Sequence, residues 1–189
     1  MNRLIRVGLL TLMLSACGGS QDEETGDSSS ASSSSPQTAF GSVEEVTSYL
    51  VAIDPFVRKI GSIQGELEQQ GVGSSGGAAA ANLAPAAAAA ASSLKEILAD
   101  FEELTAPPLL APFHRDTKKL ILLRLEAYRA TIEGFDIQQA GSGDFEAHYA
   151  EPEEKFQLAN SLIGELNADM QNITSALRQS SGTDGERAG

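Results

Sequence analysis

Disulfide and thiolate chemistry is almost excluded by the composition of this chain. Its 189 residues include one cysteine, Cys17, and no tryptophan, and aromatic residues make up 5% of the total. A single cysteine forms neither an intramolecular disulfide nor a thiolate metal cluster, so the stability of the fold must come from packing. With so few aromatics and abundant alanine and leucine, the composition favours helices over β-sandwiches or barrels.

Positive charge is scarce as well. The chain has 13 Lys and Arg residues against 26 Asp and Glu, a formal net charge of −13. Arg3 and Arg6 belong to the N-terminal segment, and without them the balance is 11 against 26, or −15. Such a charge repels phosphate backbones and anionic lipid headgroups, so it argues against nucleic-acid binding and against membrane adhesion through basic patches.

The first 16 residues have the pattern of a secretory signal peptide. Arginines are followed by an apolar stretch within LIRVGLLTLML, residues 4–14, and then by the small residues Ser15 and Ala16. The whole segment, Arg6 included, is 11 residues long, well short of the roughly 20 that a membrane-spanning helix needs. We therefore expect export followed by cleavage, with residues 1–16 removed.

Residues Leu14-Ser15-Ala16-Cys17 resemble the bacterial lipobox, in which a leucine and two small residues precede a cysteine that is lipidated and becomes the mature N-terminus. The resemblance implies cleavage between Ala16 and Cys17, a diacylglyceryl thioether on Cys17 and an N-linked acyl chain such as palmitate, with no other cofactor. Several chains bury far more methylene groups than a single acyl chain, which binds membranes only marginally, so such an anchor is stable.

The residue after Cys17 is Gly18 rather than aspartate. By analogy with enterobacterial sorting rules, this implies transfer to the outer membrane, with the protein facing the periplasm or the cell surface. The sequence is compatible with either the inner or the outer membrane, with or without exposure at the cell surface, and with more than one oligomeric state.

The lipidated cysteine is followed by a polar tether, predicted over residues 17–40. Residues 18–39, GGSQDEETGDSSSASSSSPQTA, have almost no apolar side chains and cannot offset the entropy of ordering, so we expect disorder. A chain of this length has an r.m.s. span of roughly 25 Å. The folded domain is then expected over residues 41–179, followed by a disordered tail over 180–189.

Four segments of the domain carry apolar residues at alternating spacings of three and four, the period of packed helices. The first begins at Ser42, where Glu45 three residues later predicts a capping box. Its apolar seam keeps one phase across Pro55, which predicts a single helix kinked near Asp54. The glycines of residues 71–77 are expected to end it.

The later segments are bounded by prolines and glycines. The second runs from about Ala78 to Leu104, with Pro85 either near its first turn or marking a later start. The connector at residues 105–112 predicts a third helix that starts near residues 109–113 and ends near Phe135. Because Pro152 interrupts the fourth, its regular part is expected from about Glu151, with residues 145–150 as a preceding turn or kinked extension.

These segments predict an all-α fold, an antiparallel up-down four-helix bundle with a kinked first helix. The alternative is a two-plus-two arrangement in which the first helix splays away. The predicted core consists of the seam residues Val43, Val46, Leu50, Ile53, Val57, Ile60, Leu67, Leu83, Ala87, Ala90, Leu94, Ile97, Phe101, Leu104, Leu110, Thr117, Ile121, Leu125, Tyr128, Ile132, Phe135, Phe145, Tyr149, Phe156, Ala159, Ile163, Leu166, Met170, Ile173 and Leu177.

Catalytic motifs are absent from the sequence: it has no GxSxG, Walker A, CxxCH, HExxH or EF-hand pattern. The chain has two histidines. His114, in PFHRD at the start of the third helix, is interpreted either as a seam histidine or as a solvent-facing one paired with a local carboxylate such as Asp116. We therefore expect a protein that is not an enzyme.

The second histidine is the candidate for metal chemistry. In HYAE, His148 and Glu151 share one face of a helix, and such a pair can supply two metal ligands. The pair is similar in part to the GxHxxE motif of imelysin-like lipoproteins, which are helical iron-regulated surface proteins. In this chain Glu146 stands where that motif has its glycine, the chain is much shorter, and Pro152 follows at once.

Two functions follow from these features. The first is a non-enzymatic, membrane-anchored envelope lipoprotein whose helical bundle serves as an interaction or structural module, with another envelope protein as its partner. The alternative is a small-ligand or metal-binding bundle that uses His148 and Glu151. The sequence names neither the partner nor the ligand.

Overall fold

The computed structural model describes residues 36–69, 77–141 and 145–182, and nearly all of them are helical. The four long helices are α1 (Val43–Gln69), α2 (Gly77–Glu102), α3 (Ala111–Gln139) and α4 (Phe145–Gly182). Two short strands, β1 (Gln37–Thr38) and β2 (Gly41–Ser42), precede α1, and a short 3-10 helix, Pro108–Leu110, precedes α3. The prediction of an all-α fold is confirmed. Residues 1–35, 70–76, 142–144 and 183–189 lie outside the described part.

The capping box predicted at the start of α1 is present. The Ser42 hydroxyl accepts a hydrogen bond from the Glu45 N–H at 3.2 Å. In return, Oε2 of Glu45 accepts one from the Ser42 N–H at 3.1 Å and one from the Ser42 hydroxyl at 2.7 Å. These reciprocal bonds satisfy donors that a helix N-terminus leaves without an intrahelical partner. As predicted, α1 then continues through Pro55 as one helix.

A small hairpin that the sequence analysis did not predict leads into α1. Gln37 pairs with Ser42 and Thr38 with Gly41 in antiparallel register. The Thr38 hydroxyl donates to the Gly41 carbonyl at 2.9 Å, and the Phe40 N–H donates to Thr38 Oγ1 at 3.0 Å. Gly41 has φ +124°, a backbone conformation that residues with a Cβ atom rarely adopt. The last residues of the predicted tether thus pack against the domain.

Prolines lie inside helices instead of ending them. Pro85 is within α2 and Pro152 within α4, so residues 145–150 are helical, which agrees with the predicted extension of α4 and not with a separate preceding turn. A proline removes one backbone hydrogen bond and crowds the preceding turn, yet both helices continue through their prolines. Pro152 is itself buried, and one turn later Phe156 packs edge-on against Tyr128 of α3, with ring centroids 5.1 Å apart.

The C-terminus of α3 also differs from the prediction. The helix continues four residues beyond Phe135, to Gln139. Its last turn is closed by the Ala140 N–H, which donates to the Asp136 carbonyl at 3.0 Å, and Gly141 follows with φ +64°. A left-handed glycine is a common helix terminator, so this glycine, and not the last seam aromatic, marks the end of α3.

One hydrophobic core has members from all four helices. Every predicted seam residue whose side chain the structure describes is buried or half-buried; Leu83, Phe145 and Tyr149 lie outside that set. The most deeply buried large side chains are Phe101, Ile53, Leu94, Leu110, Ile121, Ile173 and Val46. Each such side chain contributes about 1.5–3 kcal/mol to folding through burial.

The third helix contacts two long neighbours, α2 and α4, while α1 packs on α2 and β1 touches α4. Lys118 of α3 pairs with Glu102 at the end of α2, at 2.6 Å. Lys155 of α4 pairs with Glu126 of α3 at 2.8 Å, and residues later in α4 lie beside earlier residues of α3, so these two helices run in opposite directions. Across the described residues, no helix combines the length and the apolar character needed to cross a membrane.

Candidate functional site

The predicted lipidation and cleavage residues, Cys17 and Ala16, lie outside the described residues, as does most of the tether. The structure therefore describes the domain that follows the tether. Three features of that domain carry groups that could bind or react: the predicted His148 and Glu151 pair, the surroundings of His114, and a groove on the surface of α3 and α4.

His148 and Glu151 both lie in α4, three residues apart. The side chain of His148 is outside the described part. Glu151 is exposed, and its carboxylate lies 3.5 Å from Nζ of Lys155, one turn later. The hydrogen bond from Lys155 to Glu126 is the main reason why the pKa of Lys155 is raised. Glu151 is therefore near a cation that links α4 to α3.

A metal cluster is not formed by the side chains that the structure describes. Among them, no group of three His, Cys, Asp or Glu residues lies close enough together to hold a metal ion. A stable site for a transition metal needs three or four converging ligands. The predicted pair of His148 and Glu151 stays a prediction, because the side chain of His148 lies outside the described part.

His114 lies where three helices meet. Its Nδ1 atom, in the first turn of α3, is 3.0 Å from the hydroxyl of Tyr49 on α1. Its ring stacks on Phe101 of α2, with centroids 4.4 Å apart and planes inclined by 14°. Phe101 in turn meets Phe56 of α1 edge-on at 5.6 Å. We call these four residues the aromatic junction; it connects α1 to both α2 and α3.

This geometry favours the seam interpretation of His114. Its ring is half-buried against a fully buried phenylalanine, and the nearby carboxylate of Asp116 is bonded to Arg115 at 3.2 Å instead. Tyr49, the partner of His114, was not predicted from the sequence. The signal was present, because Tyr49 lies three residues after Val46 and four before Ile53 and so fits the same alternation of spacings.

Burial and charge together favour the neutral imidazole at the aromatic junction. Burial is the larger cause of a lowered pKa of His114, and the positive charge of Lys118, one turn later, adds to it. The ring face of Phe101 acts the other way, since attraction between a cation and an aromatic face is worth about 0.5–1 kcal/mol at exposed sites. Burial also raises the pKa of Tyr49. With its proton on Nε2, the neutral imidazole accepts the Tyr49 hydroxyl at Nδ1.

Helix α3 also contains a buried arginine, whose burial was not predicted from the sequence. Arg124 is 4% exposed, and its charge lowers the pKa of Tyr128, although burial of the phenol has the larger effect and raises it. Arg124 follows Thr117 and Ile121 at spacings of four and three, so its position on the inner face could have been read from the seam.

A shallow groove of about 130 Å³ lies between α3 and α4. We call it the α3–α4 groove; it is lined by Lys119, Leu123, Leu158, Ser161, Leu162 and Glu165. Leu158 is 52% exposed, which is unusual for a large apolar side chain in this domain. An apolar strip between a lysine and a glutamate suits contact with a protein side chain, because burial of Leu158 is favourable and both charges can stay at the rim.

Neither the aromatic junction nor the α3–α4 groove has the layout of a hydrolytic active site. The aromatic junction combines an imidazole with a phenol and two phenyl rings, without a carboxylate to orient the histidine beside a nucleophile. Its geometry is that of a contact between helices. Comparison of the chain with protein-family models, curated proteins and solved structures finds no match. The function must accordingly be inferred from the residues themselves.

Proposed function

We propose that the protein is a lipid-anchored lipoprotein of the bacterial cell envelope whose helical domain is a non-enzymatic module for binding another envelope protein. The observation that carries this proposal is the sequence Leu14-Ser15-Ala16-Cys17, placed directly after a short apolar stretch. Cys17 carries the lipid, and Gly18 directs the protein to the outer membrane, where it faces the periplasm or the surface.

Within this proposal the four helices form an antiparallel up-down bundle in which α1 is kinked at Pro55. Contacts between consecutive helices support this topology, since α1 touches α2, α2 touches α3, and α3 touches α4. The ion pair between Glu102 and Lys118 joins the end of one helix to the start of the next, as in an antiparallel pair. Pro55 supports the kink, because it removes a hydrogen bond from the middle of α1.

The interaction role rests on where the apolar side chains lie. The four helical seams bury most of them in one core, whereas Leu158 remains half-exposed in the α3–α4 groove. The negative net charge argues against nucleic acid and anionic lipid as partners. A partner that offers an apolar side chain to Leu158, and polar groups to Lys119 and Glu165, fits this surface.

An affinity pull-down from intact, crosslinked envelopes tests the interaction role. The full-length protein is compared with three variants: Cys17→Ala, Leu158→Glu in the α3–α4 groove, and Leu109→Glu as a matched control. Leu109 is 60% exposed and does not line the groove. We expect a partner to be recovered with the wild type and with Leu109→Glu, and to be lost with Leu158→Glu.

The same experiment separates the anchor from the interaction. Loss of the partner with Cys17→Ala alone would show that membrane attachment supplies the encounter, as high local concentration does for tethered modules. Recovery of the same proteins with all four forms would contradict a role for the groove. Recovery of no specific partner, together with thermal stabilisation of the domain by a transition metal, would favour the ligand-binding alternative.

A further inference from the structure

We propose that the hydrogen bond between Tyr49 and His114 is an acid-sensitive contact that holds α1 on α2 and α3 at neutral pH and loosens it when the imidazole is protonated. This inference concerns the folded domain and does not depend on the anchor or on a partner. It rests on the position of the hydrogen bond between the Tyr49 hydroxyl on α1 and the His114 ring in the first turn of α3.

The contact joins α1 to α3, whereas the helix on which α1 mainly packs is α2. α1 packs on α2, and its Tyr49 side chain reaches across to His114 in the first turn of α3, 65 residues later in the chain. Tyr49 is 4% exposed and its bond to His114 is partly buried, so the access of water to the hydroxyl is restricted. A buried hydroxyl that loses its acceptor destabilises the packed state, so the state of the imidazole is coupled to the docking of α1.

Protonation reverses the direction of this bond. In the imidazolium both ring nitrogens carry hydrogen, so Nδ1 donates to the Tyr49 oxygen and the Tyr49 O–H is left without its acceptor. The new charge lies against the ring of Phe101 in a partly buried position, and Lys118 repels it. Burial is the larger cause of the lowered pKa of His114, and it is the cause that depends on docking of α1, since Lys118 lies on the same helix as His114 in both states. The ordinary pKa of an exposed imidazole is about 6.5.

The other charged groups around the imidazole do not cancel this effect. From α2, Glu102 follows Phe101, and its carboxylate pairs with Lys118. On α3, Asp116 is bonded to Arg115. From α1 the facing group is Tyr49, which stays protonated because burial raises its pKa. No carboxylate of these elements makes a hydrogen bond or ion pair with His114 among the described residues.

The sign of the effect follows from linkage. Because the pKa is lower when α1 is docked, acid favours the released state, and the docking free energy falls as the pH drops below about 6.5. At pH 5.5, one unit below that value, the ratio of released to docked α1 can rise by up to about ten-fold relative to pH 7.5. Glu45, at the N-terminus of α1, does not act in this range, since its pKa is lowered from 4.5.

Hydrogen–deuterium exchange on the full-length protein in detergent micelles tests the proposal. Exchange is measured at pH 7.5 and 5.5, with correction for the intrinsic pH dependence, in the wild type and in the variants His114→Gln and His148→Gln. We expect peptides from α1 to lose protection by up to about ten-fold at pH 5.5 in the wild type and in His148→Gln, but not in His114→Gln. Peptides from α3 and α4 should change less than those from α1.

A second measurement applies if His114→Gln does not fold. In the His148→Gln protein, the remaining imidazole is His114, and its titration by NMR can be followed across the same pH series as the exchange. We expect the protection of α1 to begin to fall as the pH drops below about 6.5. The fall should level off once the pH is below the value at which His114 titrates in the docked protein. Protection of α1 that is equal at both pH values, a loss that persists in His114→Gln, or an equal loss in all helices would overturn the proposal.

Discussion

The hydroxyl of Tyr49 on α1 lies 3.0 Å from Nδ1 of His114 on α3, although 65 residues separate them in the chain. This contact and the stacking of His114 on Phe101 bring three helices together at the aromatic junction. The junction is well placed to stabilise the fold, since it adds a hydrogen bond to an otherwise apolar region of the core.

Tyr49→Phe should destabilise the protein by about 1 kcal/mol, since it removes the hydroxyl and retains the ring. The loss arises from the missing hydrogen bond and from the unsatisfied nitrogen of His114. Urea denaturation at pH 7.5 measures it as a lower midpoint with an unchanged m-value. Ser48→Ala, on the exposed side of α1, is the matched control and should stay within about 0.5 kcal/mol of wild type. Equal midpoints for Tyr49→Phe and wild type would contradict the assigned hydrogen bond.

Ser42→Ala should destabilise α1 by about 1 kcal/mol, because it removes the side chain that caps the Glu45 N–H. The change should appear in the same urea assay. It should also increase exchange in the first turns of α1 more than elsewhere. Ser92→Ala is the control, since Ser92 is exposed in the middle of α2. Equal stability of the Ser42→Ala and Ser92→Ala proteins would show that the capping box contributes nothing.

The capping box also predicts that stability depends on pH, in a lower pH range than the one in which His114 acts. Hydrogen bonds from the Ser42 side chain and then from its backbone lower the pKa of Glu45 from 4.5. A carboxylate with a lowered pKa contributes stability that is complete above the ordinary value and is lost as the pH falls through the folded value. Glu45→Gln should therefore be less sensitive than wild type to a fall in pH from 5 to 3, as measured by thermal unfolding. Identical pH profiles would contradict this contribution.

Leu94→Ala should destabilise the protein by about 2–5 kcal/mol, as expected for a fully buried leucine whose removal leaves a cavity. Leu109→Ala is the matched control, because this leucine is 60% exposed and the same change should cost little. Thermal and urea unfolding both measure the difference. Similar losses in the two variants would contradict the placement of α2 in the core.

Helix positions and the inward faces of the helices could be predicted from the sequence because both depend on local pattern. The seam alternation places Val46, Leu94, Ile121 and Ile173 in the core, and the Ser42 and Glu45 pair sets the start of α1. Both signals act over a few residues, within one or two helical turns.

Features that depend on tertiary contacts were missed or wrongly bounded. The hairpin at residues 37–42 has strands too short to show any hydrophobic period, and its Phe40 packs on a core supplied by the helices. The helical turns before Pro152 were not assigned to the regular part of α4, because a proline inside a helix is locally unfavourable. Of the candidate site, His114 was recognised. The seam spacing could have placed Tyr49 on the inner face of α1, but its pairing with His114 could not be predicted, because no local pattern joins residues on separate helices.

The lipid anchor on Cys17 is the central claim, and metabolic labelling with a fatty acid followed by mass spectrometry of the N-terminal peptide tests it most directly. We expect the label in the wild-type protein, a mature chain that begins at Cys17, and a peptide mass increased by a diacylglyceryl group and one acyl chain. Cys17→Ala should carry no label. Label on the Cys17→Ala protein, or a wild-type chain that begins elsewhere and has a free Cys17 thiol, would contradict the claim.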